Sequence, residues 1–257
     1  MKMEFGAEFA GKTAISTGAA SGMGLLFAQN FAALGGNVVM CDVNEAVLNE
    51  KAAEINAAGD GKAIGVLCDV RRYEEVCAAR DAAVRAFGSV DIVANFAGGT
   101  AVRVQNVPPE LEFPDVPIEV YDWGLDVNLR AQLYFAHACM KQMRAQKSGL
   151  IVNIGSITGM EGDGKGVEYP TAKSGAMFGL TKSLAQYGSR YNVRCVCVSP
   201  GPVLTRPGMA NMKTLLGRAA EPQEIIDLIL FLASDRGQFI NGENIMIDGG
   251  RNAMPHA

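Results

Sequence analysis

The stretch that decides the fold is Lys-Thr-Ala-Ile-Ser-Thr-Gly-Ala-Ala-Ser-Gly-Met-Gly, residues 12–24. Its first half, Lys12–Thr17, is a short apolar run typical of a buried strand, and Met23–Leu34 then has the spacing of a helix. Glycines between a strand and a helix let the backbone turn tightly and approach a phosphate, which the amides and dipole of the helix N-terminus attract. The segment therefore predicts a strand–turn–helix unit that binds the pyrophosphate of a dinucleotide.

The same alternation of strand runs and helix-length stretches continues along nearly the whole chain. The predicted strands are Lys12–Thr17, Asn37–Cys41, Lys62–Leu67, Val90–Ala94, Leu150–Ile154, Val193–Val198 and Asn244–Ile247. The predicted helices are Met23–Leu34, Glu45–Ala57, Tyr73–Phe87, Glu168–Tyr191 and Gln223–Ala233. This pattern predicts an α/β fold, a Rossmann-like three-layer sandwich whose parallel sheet has roughly seven strands. Because no linker or change of composition divides the chain, we expect residues 1–257 to form a single domain.

Composition excludes several classes of partner. Of the 257 residues, 49% are hydrophobic, the net charge is −4 and the pI is about 5.3, so we expect no nucleic-acid or membrane partner. The apolar runs fall well short of the roughly 20 residues of a membrane span, and acidic residues interrupt the N-terminus where a secretory signal would be apolar. The six cysteines lack the spacing of a disulfide framework. We therefore expect a reduced, cytoplasmic protein.

Two segments depart from the alternation of strands and helices. Thr100–Pro117 carries four of the ten prolines, and Thr205–Gly217 follows Pro200-Gly201-Pro202. Both come after strands on the carboxyl side of the predicted sheet, where open α/β folds bind ligands. Two interpretations stay open for them, a substrate-binding rim and a surface decoration.

A carboxylate closes the second predicted strand. Asp42 follows Gly24 by 18 residues, and no Arg or Lys stands in the glycine turn or beside Asp42. A carboxylate at this point can accept hydrogen bonds from the adenosine ribose hydroxyls and repels a 2′-phosphate. The pattern favours NAD over NADP. The alternative is structural, with Asp42 or Asn44 capping the next helix.

A tyrosine and a lysine stand four residues apart in Tyr169-Pro170-Thr171-Ala172-Lys173. Residues at this spacing share one helix face, so Tyr169 and Lys173 point into the same cleft. Pro170 is tolerated in the first turn of a helix. A nearby ammonium favours the phenolate, so we expect Lys173 to lower the pKa of Tyr169 towards the range useful for proton transfer.

Taken together, these motifs resemble the short-chain dehydrogenase/reductase family over about residues 10–250. The matches, in chain order, are the TGxxxGxG turn (Thr17, Gly18, Gly22, Gly24), Asp69-Val70, the NNAG motif (Asn95-Phe96-Ala97-Gly98), Asn128, Ser156, Tyr169 with Lys173, Pro200-Gly201 with Thr205, and Asp248-Gly249-Gly250. Phe96 departs from the family motif, which has a second Asn at this place. The segment after Thr205 is also shorter than usual, and Thr100–Pro117 is longer.

The resemblance implies a hydride transfer between nicotinamide and a secondary alcohol or ketone. Tyr169 would be the general acid or base, Ser156 would hydrogen-bond the reacting oxygen, and Lys173 would also hold the nicotinamide ribose. Asn128 would anchor a water in a proton relay from Lys173. The implied cofactor-binding residues are Gly18, Ser21, Gly22, Met23, Gly24, Asp42, Asp69, Val70, Asn95, Ala97, Gly98, Tyr169, Lys173, Pro200, Gly201, Val203 and Thr205.

The sequence also raises three rival interpretations. A serine hydrolase built on Ser156 would have only His137 and His256 as a base, and the surrounding sequence is not the G-x-S-x-G elbow. A metal-dependent enzyme is disfavoured because no further ligands accompany Cys195 and Cys197, so no metal site is expected. A non-catalytic dinucleotide sensor on the same fold stays open, although the complete set of catalytic residues argues against it.

The substrate is the least determined property. Candidates are a polyol or sugar, a steroid or similar alcohol, and a 3-oxoacyl thioester reduced by NADPH, which Asp42 disfavours. By resemblance, we expect a homotetramer in which the helices Asn128–Gln146 and Glu168–Tyr191 pair across two-fold axes.

Overall fold

The sheet has seven parallel strands. The computed structural model describes residues 8–59 and 61–254. The strands are β1 (Thr13–Thr17), β2 (Asn37–Asp42), β3 (Lys62–Leu67), β4 (Ile92–Asn95), β5 (Gly149–Ile154), β6 (Val193–Pro200) and β7 (Asn244–Ile247). Their order is β3-β2-β1-β4-β5-β6-β7. The predicted fold class and all seven predicted strands are confirmed.

Helices follow the strands along the chain. They are α1 (Gly22–Ala33), α2 (Glu45–Ala58), α3 (Tyr73–Phe87), α4 (Ala101–Val104), α5 (Ile118–Leu125), α6 (Ala131–Gln146), α7 (Thr158–Glu161), α8 (Glu168–Gly175), α9 (Thr181–Gly188) and α10 (Pro222–Ala233). One π-turn, Asp126–Arg130, joins α5 to α6, and a second, Ala176–Leu180, joins α8 to α9. The helix predicted from Asn128 therefore begins ten residues earlier, at Ile118, directly after Pro117.

The two faces of the sheet carry separate cores because side chains alternate along each strand. Ala14 of β1 packs in the core under α1, α2 and α10, with Phe27 and Ile226. Its neighbour Ile15 packs in the opposite core under α3 and α6, with Val76 and Phe135. The molecule is thus a three-layer sandwich. Within the described ranges, none of the helices combines the length and apolar character needed to cross a bilayer.

The strand order positions the functional site. The order of the strands reverses at β1, which pairs with β2 on one side and with β4 on the other. From β1 the chain adds β2 and β3 on one side, and then β4 to β7 on the other. In open α/β sheets, a ligand crevice forms at this point, outside the carboxyl ends of the strands. The glycine turn after β1, the loop after β4 and the loops after β5 and β6 all meet at this edge.

Candidate active site

The glycine turn packs against the loop after β4. Gly18 has a φ of +63°, and a Cβ there would lie 3.1 Å from the Cα of Ala97. A Cβ on Gly24 would lie 2.4 Å from the carbonyl oxygen of Gly18. The amide of Ala97 also donates to the hydroxyl of Thr17 at 2.9 Å. Only glycine fits at these two positions without moving the backbone.

The first turn of α1 is open to a ligand. Ser21 is the N-cap of α1, but its side chain makes no capping hydrogen bond. Ser21 and Gly22 are exposed, and a Cβ on Gly22 would meet no described atom within 4 Å. The first amides of a helix have no intrahelical acceptor, so they suit an anion at this place. These residues fit the pyrophosphate of a dinucleotide.

Asp42 does not cap the helix that follows it. Its carboxylate accepts hydrogen bonds at 3.0 Å from the amides of Ala20 and Asn44. The side chain of Asn44 caps α2 by accepting from Val47 at 3.3 Å. A carboxylate offers about four acceptor positions, and two are used here. Asp42 is half-buried, so the others can meet ribose hydroxyls beside the glycine turn.

Asp69 carries an ion pair that the sequence analysis did not foresee. Arg71 donates to both carboxylate oxygens of Asp69, with Nη2 2.6 Å from Oδ2 and Nε 2.9 Å from Oδ1. These hydrogen bonds lower the pKa of Asp69 below its usual range. Val70 beside it is buried. A contact between Asp69 and an adenine would have to coexist with this ion pair.

The last residue of β4 faces the core, whereas residues of the loop after β4 line the cleft. Asn95 is 2% exposed and donates to Oδ1 of Asn153 at 3.2 Å, within the sheet. It does not line the cleft, although the resemblance implied a contact with cofactor. Gly98 does line the cleft. Phe96, the departure from the family motif, forms part of the wall and packs against Phe27 with ring centroids 5.6 Å apart.

One cleft of about 390 Å³ brings the catalytic candidates together. Three of them, Ser156, Tyr169 and Lys173, lie in its lining. The implied cofactor-binding residues that also line it are Met23, Gly98, Pro200, Gly201, Val203 and Thr205. The implied residues outside its lining are Gly18, Ser21, Gly22, Gly24, Asp42, Asp69, Val70, Asn95, Ala97 and Asn128. The cleft thus joins the catalytic side chains to the end of the glycine turn.

The pKa of Tyr169 differs from the sequence prediction. Burial raises it above the ordinary value, and a hydrogen bond with Ser156 and the charges of Arg103 and Arg206 lower it in part. Lys173 does not contribute as predicted. Its ammonium lies 5.5 Å from the Tyr169 ring centroid and donates to the carbonyl of Ile154 at 2.8 Å. Burial outweighs the favourable charges, so the predicted lowering of the Tyr169 pKa by Lys173 was wrong.

Asn128 fastens the loop after β4 to the π-turn. It is fully buried, and Nδ2 donates to the carbonyls of Gly99 and Gly124, each at 2.9 Å. Its Oδ1 accepts from the amide of Gly99 at 3.0 Å. Both amide protons are therefore used by the protein, and one acceptor position on Oδ1 remains for a water.

Several cleft residues were missed by sequence reasoning. They are Arg103, Arg206, Met209 and Met212, which all line the cleft; Asp163, from the polar loop between Ser156 and Tyr169, lines it as well. Arg103 lies in the segment Thr100–Pro117, and the two methionines and Arg206 lie in Thr205–Gly217. The available signal was the position of these segments after strand ends, which favoured the substrate-rim interpretation. It did not indicate which side chains would point inward.

The geometry does not support the hydrolase or metal interpretations. His137 shares a 2.5 Å hydrogen bond with the hydroxyl of Tyr73 and does not line the cleft. His256 lies outside the described residues. Ser156 instead accepts from the amide of Thr158 at 3.2 Å. In the part of the chain that the structure describes, no three His, Cys, Asp or Glu side chains are grouped as metal ligands would be.

Known proteins resemble the chain over nearly its full length. A family model described as enoyl-(acyl carrier protein) reductase matches residues 18–252. The chain is 39% identical to a trans-4-hydroxycyclohexanecarboxylate dehydrogenase of Sinomonas cyclohexanicum, over 94% of this chain and 93% of that protein. It is 30% identical to a 7alpha-hydroxysteroid dehydrogenase of Bacteroides fragilis, over 94% and 95%.

A third relative is an NAD-dependent glycerol dehydrogenase of Listeria innocua, 31% identical over 93% of each chain. The extent of these matches agrees with the parallel sheet, the glycine turn and the cleft that holds Ser156, Tyr169 and Lys173. The chain therefore belongs to the short-chain dehydrogenase/reductase family of nicotinamide-dependent oxidoreductases.

Proposed function

We propose that this protein is an NAD-dependent dehydrogenase that interconverts a cyclic secondary alcohol and its ketone. The observation that carries the proposal is the meeting of Ser156, Tyr169 and Lys173 in one cleft that also includes Met23 and Thr205. The names of two relatives, acting on a hydroxycyclohexanecarboxylate and a hydroxysteroid, support a ring-bearing alcohol.

The proposed roles follow from the positions of the side chains. Ser156 would hold the reacting oxygen by a hydrogen bond, and Tyr169 beside it would take the hydroxyl proton during oxidation and return it during reduction. Lys173, one helix turn after Tyr169, would hold the ribose hydroxyls. The nicotinamide, when bound, supplies the hydride acceptor or donor. Asn128 would keep the loop after β4 in place and offer Oδ1 to a relay water.

The preference for NAD is supported by Asp42. Its half-buried carboxylate stands at the end of β2, held by the amides of Ala20 and Asn44. A 2′-phosphate placed beside it would meet like charge, whereas ribose hydroxyls would meet an acceptor. The cofactor cradle would further comprise Gly18, Ser21, Gly22 and Gly24, which the open first turn of α1 supports.

Assembly and location belong to the same proposal. We expect a homotetramer built on the faces of α6 and α9, and a small-molecule alcohol or ketone as the other partner. All six cysteines, none of which lies in the undescribed residues, are free. Free thiols are what a reducing compartment such as the cytoplasm maintains, which supports a cytoplasmic location.

The test is the appearance of reduced nicotinamide at 340 nm with NAD and a panel of cyclic secondary alcohols. We expect Tyr169→Phe to lower kcat by at least about 10²-fold while NADH binding stays within about threefold, because only proton transfer is lost. Tyr134→Phe, which removes a hydroxyl outside the cleft, is the control. Full activity in Tyr169→Phe would exclude the proposed role, and binding of NADH without turnover of any alcohol would favour the sensor.

A further inference from the structure

Two arginines from different segments of the chain line the cleft. Arg103 lies on α4, after β4, and Arg206 directly follows Thr205, after β6. Both line the same cleft as Tyr169, and the charge of each lowers the pKa of Tyr169. Burial and then the charge of Arg206 lower the pKa of Arg103, so the two cations are near enough to repel each other.

Neither arginine has a hydrogen-bond or ion-pair partner for its guanidinium among the residues that the structure describes. Over residues 8–59 and 61–254, the ion pairs include neither Arg103 nor Arg206, and neither guanidinium donates a hydrogen bond. The carboxylate in the cleft, Asp163, accepts instead from the amides of Lys165 at 3.0 Å and Gly166 at 3.2 Å. The cleft therefore carries excess positive charge in a chain whose net charge is −4.

The short helix that carries Arg103 is tied to the helix that carries Tyr169. Glu168, the residue before Tyr169, is 3% exposed and accepts from the amide of Ala101 at 2.9 Å. This buried hydrogen bond ties α4 to α8. A Cβ on Gly99 would lie 3.0 Å from Nη2 of Arg103, so the glycine leaves room for the guanidinium. The fold thus sets where the backbone of Arg103 lies relative to Tyr169.

We propose that Arg103 and Arg206 bind a carboxylate of the substrate, so that the alcohol oxidised at Tyr169 is a hydroxy acid. The substrate part of this inference rests on the proposed dehydrogenase function. Guanidinium groups pair with planar carboxylates through two parallel hydrogen bonds, and an anion between two cations removes their mutual repulsion. The substrate in the name of one relative, a hydroxycyclohexanecarboxylate, has such a carboxylate.

The first experiment measures binding without turnover. Cyclohexanecarboxylate and cyclohexanecarboxamide, which have no hydroxyl to oxidise, are titrated calorimetrically into the enzyme saturated with NADH. We expect Arg103→Gln and Arg206→Gln each to raise the Kd of the carboxylate by about 10-fold or more and the Kd of the carboxamide by less than about threefold. Arg190→Gln is the matched control, because Arg190 is exposed just before β6, at the opposite edge of the sheet.

Other outcomes of the titration would overturn the inference. Equal losses for carboxylate and carboxamide would assign the arginines a structural role, and no loss would exclude a contact with the anion. A weaker affinity for NADH in either variant, with carboxylate binding unchanged, would assign that arginine to the cofactor phosphates. Arg103→Lys and Arg206→Lys serve as second variants that keep the charge, and we expect them to recover part of the affinity.

The second experiment distinguishes a failure of the carboxylate inference from a failure of the proposed dehydrogenase function. Oxidation of trans-4-hydroxycyclohexanecarboxylate and of its carboxamide by NAD is followed in the wild type and the arginine variants. We expect the variants to lower kcat/KM for the acid by about 10-fold or more and for the amide much less. If neutral alcohols are oxidised as fast as the hydroxy acid, and the arginine variants do not change these rates, the carboxylate inference is overturned and the proposed dehydrogenase function stands. Binding of carboxylate without oxidation of any alcohol would overturn the proposed function and leave only an anion site.

Discussion

Lys173 is the buried cation of the site. It is 3% exposed, and burial lowers its pKa from 10.5 to about 8. This difference corresponds to about 3 kcal/mol of unfavourable free energy for burying the charged form. Because the folded-state pKa is the lower one, the unfolded chain binds more protons between pH 8 and 10.5. The contribution of Lys173 to stability therefore improves as the pH rises through this window.

We expect Lys173→Met to raise the free energy of unfolding by about 1–3 kcal/mol at pH 7, although turnover is lost. The gain should shrink as the pH rises from 8 and approach zero only above pH 10.5, where the wild-type lysine is mostly neutral in both states. Urea denaturation at several pH values measures it, with the exposed Lys182→Met as control. A gain that does not change with pH would show that packing, not charge, is its cause.

We expect Asp42 to set the preference between NAD and NADP. Removing its carboxylate takes away an acceptor for the ribose hydroxyls and the repulsion of a 2′-phosphate. We expect Asp42→Ala to lower kcat/KM with NAD by about 10-fold or more. The ratio of kcat/KM with NAD to kcat/KM with NADP should fall as well. Asn44→Ala, which removes only the cap of α2, is the control. An unchanged ratio would restrict Asp42 to tethering the glycine turn.

The glycine turn acts as a unit of strand, turn and helix. A Cβ on Gly24 would press against backbone atoms at 2.4 and 2.7 Å, which cannot retreat as a flexible side chain would. We expect Gly24→Ala to push α1 away from the end of β1 and to weaken NADH binding about 10-fold or more, measured by fluorescence titration. Gly164→Ala, where a Cβ meets nothing within 4 Å, should bind NADH normally. Normal binding in Gly24→Ala would mean that the turn adapts.

Each of the two long helical runs contains a π-turn, which local periodicity did not reveal. Asn128 lies within the first, where the extra residue reorients the carbonyls of the helix. Its side chain reaches the loop after β4 from this position. Single π-turns are frequent at functional sites, and this one links α5 and α6 to the cleft through Gly99.

At the scale of the whole molecule, apolar side chains are exposed on the layer formed by α6 and α9. Leu133 is 45% exposed and lines two neighbouring grooves, one with Leu129 and Leu180, the other with Leu184 and Tyr187. Continuous apolar patches on a soluble surface mark sites of association. They support the proposed pairing of these helices across a two-fold axis.

We expect light scattering to give the mass of a tetramer at micromolar concentration, and Leu133→Glu to dissociate it by burying a charge in the contact. Leu67→Glu, on a side chain that is 51% exposed at the end of β3, is the control and should stay tetrameric. A wild-type monomer would refute the proposed assembly.

The sequence by itself determined the seven strands, most of the helices that alternate with them, the parallel sheet, and the placing of Tyr169 and Lys173 on one helix face. Ser156 was identified only by the resemblance to the family, and the catalytic roles of the three residues stay predictions. The properties that the sequence determined are encoded locally. Hydrophobic periodicity distinguishes strands from helices, glycines mark a tight turn, and a spacing of four places Tyr169 and Lys173 on one helix face. The bounds of Lys62–Leu67 and Tyr73–Phe87 were predicted to the residue for the same reason.

Only the tertiary structure decided what surrounds these residues. Arg103 and Arg206 are far apart in the chain and meet because the loops after β4 and β6 reach the same edge of the sheet. The raised pKa of Tyr169 depends likewise on burial by distant elements, and so does the orientation of the Asn95 side chain towards the core. Desolvation and charge act through space, so residues that share a cleft without sharing a sequence pattern become visible only once the chain is folded.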